Sequence, residues 1–171
     1  MTDHTDAKDE PAIGYRTDRG VMYVDSIESF VDSQAGREMK GEVQLIFTSP
    51  PFILNRKKGY GNEDAEAYMS WLSGLAPRLV DLLTPTGSIV IELGNAWVPG
   101  SPTMSTVPLE ALLAFKKAAG LHLCQHFVWH NPAKLPSPAQ WGNVDRIRVK
   151  DSFTNVWWLS ATDRPKANNR N

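Results

Sequence analysis

Thr48-Ser49-Pro50-Pro51-Phe52 is the stretch whose residue types could do chemistry. It follows the apolar run Val43 to Phe47 and precedes the basic segment Arg56-Lys57-Lys58-Gly59. Consecutive prolines fix φ and remove two backbone N–H donors, which stiffens the loop and leaves its carbonyls free to accept hydrogen bonds. A rigid acceptor cluster beside an aromatic ring suits a planar ligand that carries an amino group. Open α/β sheets place ligands just beyond the carboxyl ends of buried strands, where this loop is expected.

Other residues offer chemistry with a bland alternative beside it. Asp25 follows the short apolar run Val21 to Val24 and serves either as a helix cap or as a cofactor contact. Glu92 closes the run Ser88 to Leu93, either as an ordinary surface acid or as part of the site. His122, His126 and His130 recur every four residues, a spacing that would place them on one face of a helix. The segment Leu121 to His130 alternates with a period of two, however, and reads as a strand. Along a strand that spacing separates the side chains by roughly 13 Å, too far to share a metal held at ~2 Å. Structural histidines and no metal site are expected. Cations gather at Arg56, Lys57 and Lys58 and again at Lys134, Arg146, Arg148 and Lys150, so a local basic footprint is compatible with a net charge of −1.

The elements that must position these residues follow from periodicity and punctuation. Residues 1 to 13 read as a polar, acidic flexible tail, residues 14 to 163 as the folded part, and residues 164 to 171 as a polar tail. A short strand is expected over Val21 to Val24, then a brief helix opened by Asp25-Ser26, then a strand from Val43 to Thr48. Asn62 starts a helix whose apolar face carries Tyr68, Trp71, Leu72, Leu75, Leu79 and Leu82, with a kink or break expected between Gly74 and Pro77. Thr84-Pro85-Thr86-Gly87 should turn the chain into the strand Ser88 to Leu93. Two strands joined by one helix make a right-handed parallel unit, which sets Thr48 to Phe52 beside Glu92-Leu93-Gly94-Asn95. A helix opened at Ser105 should turn Leu109, Leu112 and Leu113 to the sheet and end at Gly120. The proline-rich loop Asn131 to Pro138 and a last strand within Asp151 to Ser160 complete the chain.

At 171 residues, 42% hydrophobic and 22% charged, the chain has the length and composition of one globular domain able to bury about 70% of its unfolded surface. No apolar run approaches the ~20 residues of a membrane span, and Met1 to Pro11 lacks a signal-peptide core. Cytoplasmic residence is expected. The lone Cys124 makes no internal disulfide.

Taken together, several motifs resemble the cytosine-N4 DNA methyltransferases of restriction-modification systems. They are Gly20-Val21-Met22-Tyr23 with Asp25-Ser26, Ser49-Pro50-Pro51-Phe52 with Arg56-Lys57-Lys58 and Tyr60-Gly61-Asn62, Asn131-Pro132 with Lys134-Leu135-Pro136-Ser137-Pro138, and Ile147-Arg148-Val149-Lys150-Asp151 with Val156-Trp157-Trp158. The resemblance implies an α/β, partial Rossmann-like methyltransferase fold, a mostly parallel sheet with an antiparallel C-terminal strand pair, and S-adenosylmethionine as methyl donor. It makes Ser49, Pro50, Pro51 and Phe52 the catalytic loop, with Ser49 and the Pro50 carbonyl accepting the amino hydrogens and Phe52 stacking on a flipped cytosine. Serine rather than an acid in the first position favours cytosine N4 over adenine N6. Asp25, Thr48, Glu92 and Gly94 would meet the cofactor. Arg56, Lys57, Lys58, Trp129, Asn131, Lys134, Arg148 and Lys150 would meet double-stranded DNA, with a solvated loop as the alternative for Arg56, Lys57 and Lys58 and core packing or turn formation for Trp129 and Asn131.

The family carries a glycine-rich cofactor loop and its target-recognition region after the last strand read here, and no Phe-x-Gly-x-Gly occurs in these 171 residues. The chain is therefore expected to be a catalytic half, a truncated product or one subunit of a split enzyme, with apolar surface left for a complementary chain or segment. The other reading is a non-catalytic module that binds DNA or a partner.

Overall fold

A computed structural model describes residues 10–51, 65–135 and 139–170. Two antiparallel strands, β1 (Ala12–Thr17) and β2 (Gly20–Val24), form a separate ribbon. The helices α1 (Ile27–Asp32) and α2 (Gln34–Glu38) lead into β3 (Val43–Thr48), and α3 (Ala65–Val80) connects it to β4 (Leu83–Leu93). Then come α4 (Val107–Ala118), β5 (His122–His130) and β6 (Phe153–Ser160). The main sheet has the order β3-β4-β6-β5.

The expected mostly parallel sheet is corrected. β3 and β4 pair in parallel, but β6 returns between β4 and β5 and runs antiparallel to both. The long loop after β5 lets the chain double back as a hairpin, and the vacant edge of β4 takes the returning strand. The expected antiparallel pair at the C-terminal end is β5 with β6.

Several local expectations change for physical reasons. β1 begins at Ala12, inside the stretch read as a tail, and every one of its residues is exposed, so it has no burial periodicity to betray it. Pro77 does not break α3, which runs unbroken to Val80. Proline removes only its own N–H bond, and the burial of Leu75, Ala76 and Leu79 holds the last turns in place. Thr84-Pro85-Thr86-Gly87 lies within β4 rather than in a turn: Val43 pairs with Leu83 and Leu45 with Ser88, so the extra residues bulge out of the ladder. Gly87 is required there, because a Cβ would lie 2.9 Å from Leu83 Cβ and 3.0 Å from the Val43 carbonyl oxygen. On α4 the buried residues are Ala111, Leu112 and Phe115, while Leu109 and Leu113 are exposed. Thr106 rather than Ser105 is its N-cap residue, and Gly120 supplies the left-handed turn at its end with φ of 62°.

One core joins these elements. Tyr68, Leu72, Ala76 and Leu79 of α3 and Ala111, Leu112 and Phe115 of α4 pack on Ile89, Ile91 and Leu93 of β4 and Leu159 of β6. Alternate residues of β4 point the other way, and Trp158 Nε1 donates to Ser88 Oγ on that opposite face at 2.8 Å. The residues that α3 and α4 bury thus lie on one side of the sheet only. No described helix is long and apolar enough to cross a membrane.

Candidate active site

The parallel register of β3 with β4 sets Thr48 opposite Ile91, so Ser49 to Pro51 leaves the sheet beside Glu92, Leu93 and Gly94. β6 enters at this same edge, with Asn155 opposite Leu93, and β5 ends there, with His130 opposite Phe153. The first proline loop, the Gly94-Asn95 exit, the start of β6 and the Asn131 loop are therefore ranged along one edge. Three strand spacings make that edge roughly 14 Å wide, enough for a base and a second small molecule side by side.

Ser49 and Pro51 are exposed and Pro50 is buried. With Thr48 they border a hollow of about 320 Å³ whose other walls include Ile27, Ile46, Trp71, Leu75 and Phe115. Its size lies within the range of small-molecule sites, and its walls are carbon-rich. Ile27 reaches it because α1 is tied to α3: Trp71 Nε1 donates to Glu28 Oε1, Arg78 Nη2 donates to the Glu28 carbonyl at 2.6 Å, and Arg78 pairs with Asp32 at 2.6 Å. The Trp71 hydrogen bond is the main reason the Glu28 carboxyl sits below its ordinary value. Phe52, Arg56, Lys57, Lys58 and the expected start of the helix at Asn62 lie outside the described residues, as do Pro136, Ser137 and Pro138.

The pair Asp25-Ser26 opens α1 as expected, with Ser26 in the cap position. Ser26 is the N-cap of α1, accepting from Ser29 N, while Asp25 Oδ1 accepts from Ser26 N at 2.8 Å. Asp25 is exposed at the end of β2, two residues from the hollow's Ile27. Glu92 and Gly94 are half-buried at the end of β4.

The opposite end of the edge is organised by a hydrogen-bonded chain that periodicity did not reveal. His126 Nε2 meets Asn155 Oδ1 at 2.8 Å, Asn155 Nδ2 donates to Asn95 Oδ1 at 2.8 Å, and Asn95 Nδ2 donates to Asp151 Oδ2 at 3.1 Å. Lys134 Nζ completes it with an ion pair to the same Asp151 oxygen at 3.1 Å and a bond to the Phe153 carbonyl at 3.3 Å. Burial pushes the Asp151 carboxyl up, but hydrogen bonds from Asn95, Lys134 and the Phe153 N–H, with the Lys134 charge, more than offset it and leave the carboxyl below its ordinary value. His126 also stacks on Trp157 with 4.0 Å between ring centroids. Polar residues at the ends of adjacent apolar runs were the available signal, yet their pairing is set by strand register over separations of 17 to 60 residues.

Three of the four cations of the second cluster make internal contacts. Lys134 is committed to Asp151, Lys150 Nζ donates to the Pro132 carbonyl at 2.7 Å, and the Arg148 guanidinium lies 3.1 Å from the centre of the Trp97 ring. The Lys134 and Lys150 contacts brace the Asn131 loop, where Asn131 N donates to the Ser152 carbonyl at 2.7 Å and Asn131 Oδ1 accepts from Ala133 N at 3.1 Å. Trp129, opposite Thr154, is exposed at this edge. β5 is a strand, as its period requires, and its three histidines are distributed along β6, opposite Ser160, Trp157 and Phe153.

Comparison with known proteins gives this arrangement a context. The family model described as DNA methylase matches residues 43–171. The chain is 39% identical over 157 residues to the Type II methyltransferase M.PvuII of Proteus hauseri, an overlap covering 90% of this chain and 44% of that protein. The solved structure of the cytosine-N4-specific PvuII DNA methyltransferase superposes with a TM-score of 0.67 at 40% identity, over 75% of this chain and 46% of the other. TTHA0409, described as a DNA modification methylase of Thermus thermophilus, shares the fold with a TM-score of 0.52 at 21% identity, over 77% of this chain and 50% of its own. The chain spans half or less of the length of these relatives.

Proposed function

Since the chain belongs to the DNA methylase family, we propose that it is the base-binding part of a cytosine-N4 DNA methyltransferase. The reaction proposed moves a methyl group from S-adenosylmethionine to the exocyclic nitrogen of a cytosine flipped out of a specific double-stranded DNA site. The observation that carries this reading is the placement of Ser49-Pro50-Pro51 at the carboxyl end of β3, against the hollow and beside the end of β4.

The chemistry explains why such a loop is needed. The amino nitrogen of cytosine is a poor nucleophile because its lone pair is delocalised into the ring. Hydrogen bonds from both amino hydrogens to fixed acceptors draw the nitrogen towards a tetrahedral shape and concentrate the pair on it. Ser49 Oγ and the Pro50 carbonyl are the acceptors proposed, and neither proline can present a competing N–H. Pro51 keeps the loop rigid, and Phe52 is assigned to stacking on the base. S-adenosylmethionine supplies a methyl group on cationic sulfur, which leaves with the S–CH₃ bonding pair as a neutral thioether. The product nitrogen then gives up one proton to solvent.

The residues present fit part of that cofactor. The carbon-rich hollow suits an adenosyl group, and Asp25, Thr48, Glu92 and Gly94 are the residues assigned to it. A Phe-x-Gly-x-Gly cradle for its charged end is absent from this sequence, so that contact falls to the remaining half of the domain. Trp129 and Asn131 are assigned to the flipped base and its surroundings. Arg56, Lys57 and Lys58 are assigned to phosphates. Arg148 is assigned to DNA, while Lys134 and Lys150 act on it chiefly by bracing the Asn131 loop, the role that their internal contacts support.

The test is co-expression with the remaining half of the domain, followed by nucleoside mass spectrometry of the DNA. N4-methylcytosine that disappears in Ser49→Ala supports the reading. Unmethylated DNA from an intact assembly favours a non-catalytic binding module, and tight calorimetric binding of S-adenosylmethionine by this chain alone contradicts the need for a second half.

A further inference from the structure

The segment that leaves β4 is tied to the loop between β5 and β6 and to the start of β6. Asn95 uses both of its polar side-chain atoms there: Oδ1 accepts from Asn155 Nδ2 at 2.8 Å, and Nδ2 donates to Asp151 Oδ2 at 3.1 Å. Two residues on, the Trp97 ring carries the Arg148 guanidinium 3.1 Å from its centre. Asp151 in turn gathers three donors, since Lys134 Nζ shares Oδ2 with Asn95 and the other carboxylate oxygen accepts from Phe153 N at 3.4 Å. A flipped Asn95 amide would set its oxygen against the Asp151 carboxylate and its nitrogen against Asn155 Nδ2, so one orientation alone satisfies both partners.

A hydrogen-bonded joint at the end of a sheet serves stability wherever it occurs. The place of this one along the site edge gives it a second consequence. Asn95 directly follows Gly94, which is assigned to the cofactor, and the register sets Glu92 and Leu93 of the same strand end opposite Val156 and Asn155. On the far side, the Asp151 cluster holds the loop that opens with Asn131, which is assigned to the flipped base. Asn131 N donates to the Ser152 carbonyl at 2.7 Å, and Lys134 Nζ reaches the Phe153 carbonyl at 3.3 Å as well as the Asp151 carboxylate. Asn95 is thus the side chain by which the cofactor end of β4 grips the base-side loop.

We infer that Asn95 is a positioning residue for methyl transfer: by holding Asp151 and Asn155 together it fixes how far the base-side loop stands from the cofactor end of β4. Transfer needs the amino nitrogen and the methyl carbon about 3–3.5 Å apart and in line, and a misplacement of ~1 Å costs on the order of 100-fold in rate. Asn95 touches neither ligand in this role and acts through the two loops it joins. The inference rests on the proposed function for the identity of the ligands, while its first measurement needs neither of them.

Asn95→Leu keeps the size of the side chain and removes both hydrogen bonds. In this chain alone, amide hydrogen exchange followed by NMR should speed by about tenfold or more at Asn131 and by less at Ile89 and Leu159 of the core. In the assembly co-expressed with the remaining half of the domain, single-turnover methyl transfer should slow by about 30-fold or more, with affinity for DNA within about threefold of the parent. A smaller folded fraction would leave that rate constant unchanged. Lys134 Nζ and Asn95 Nδ2 donate to the same Asp151 oxygen, so a carboxylate at either position lies within reach of the ammonium. Asn95→Asp alone opposes two carboxylates and should slow transfer as Asn95→Leu does, whereas Asn95→Asp with Asp151→Asn should return the rate to within about fivefold of the parent. Should Asn95→Leu not fold, Asn95→Ser takes its place, with a slowing of about tenfold or more expected. Equal acceleration of exchange at Asn131 and the core amides, or a swapped pair no faster than Asn95→Asp, would overturn the inference. So would a parent assembly that methylates DNA while Asn95→Leu transfers at the parent rate, a result that leaves the proposed function standing. A parent assembly that leaves DNA unmethylated refutes the proposed function and the positioning role with it.

Discussion

Replacing Asp151 by Asn keeps its shape and removes its charge, which isolates what the carboxylate contributes to the Asn131 loop. The Asp151 side chain is 9% exposed and that of Lys134 34%. A fully buried charge left without its partner costs about 3–5 kcal/mol, and a hydrogen bond to a charged group is worth about 1.5–3 kcal/mol. Because Lys134 can turn its ammonium back to water, the lower range applies, and a loss of about 2 kcal/mol is expected at pH 7. The folded carboxyl lies below its ordinary value, so the unfolded chain binds more protons at acid pH and stability rises with pH. The contribution of Asp151 is thus complete above the unfolded carboxylate value of about 3.9 and is lost as pH falls through the lower folded value. Urea unfolding followed by tryptophan fluorescence measures it: at ~2 kcal/mol per molar for the urea dependence, the midpoint should fall by about 1 M with an unchanged slope. A double-mutant cycle with Lys134→Met should recover most of that loss as coupling. A midpoint for Asp151→Asn within about 0.2 M of the parent at pH 7, or a deficit that persists undiminished at pH 3, would refute the reasoning.

Other expectations follow from single contacts. Ser49→Ala, at an exposed loop position, should leave stability within about 0.5 kcal/mol of the parent while the assembled enzyme loses at least 100-fold in methylation rate; equal loss of both quantities would place Ser49 in the scaffold instead. Gly87→Ala should cost about 1–3 kcal/mol in chemical denaturation, because its Cβ would press on the Val43 carbonyl, which the β3 ladder holds in place. Burial raises the Tyr68 phenol to about 12. Its share of stability should hold below pH 10 and fall as pH rises towards 12, an alkaline destabilisation that Tyr68→Phe removes and that absorbance at 295 nm can follow.

The placement of the Ser49 loop was legible in the sequence because it is local. The strand Val43 to Thr48 appears in the structure with the bounds its apolar run implied, and Ser49-Pro50-Pro51 follows it as a loop. The βαβ rule placed the ends of β3 and β4 side by side, and the period of two kept the three histidines on a strand. In each instance a short-range rule, such as side-chain alternation, a missing N–H or the hand of a crossover, suffices to place the residue.

What escaped that reading depends on partners distant in the chain. Turn residues at Thr84 to Gly87 were absorbed into β4 because the register with β3 admits a bulge, and α3 passes Pro77 because core packing outweighs one lost hydrogen bond. The direction of β6, its seat between β4 and β5, and the His126-Asn155-Asn95-Asp151-Lys134 chain all arise from strand pairing across long separations. So does the bare face of the sheet. An apolar residue such as Phe47 has the same identity whether a helix covers it or water does, and only the assembled sheet reveals that it is 68% exposed among the described residues. Residue identity thus sets the residue types gathered in the Ser49 loop, whereas the face of the sheet left exposed among the described residues emerges from which strands become neighbours.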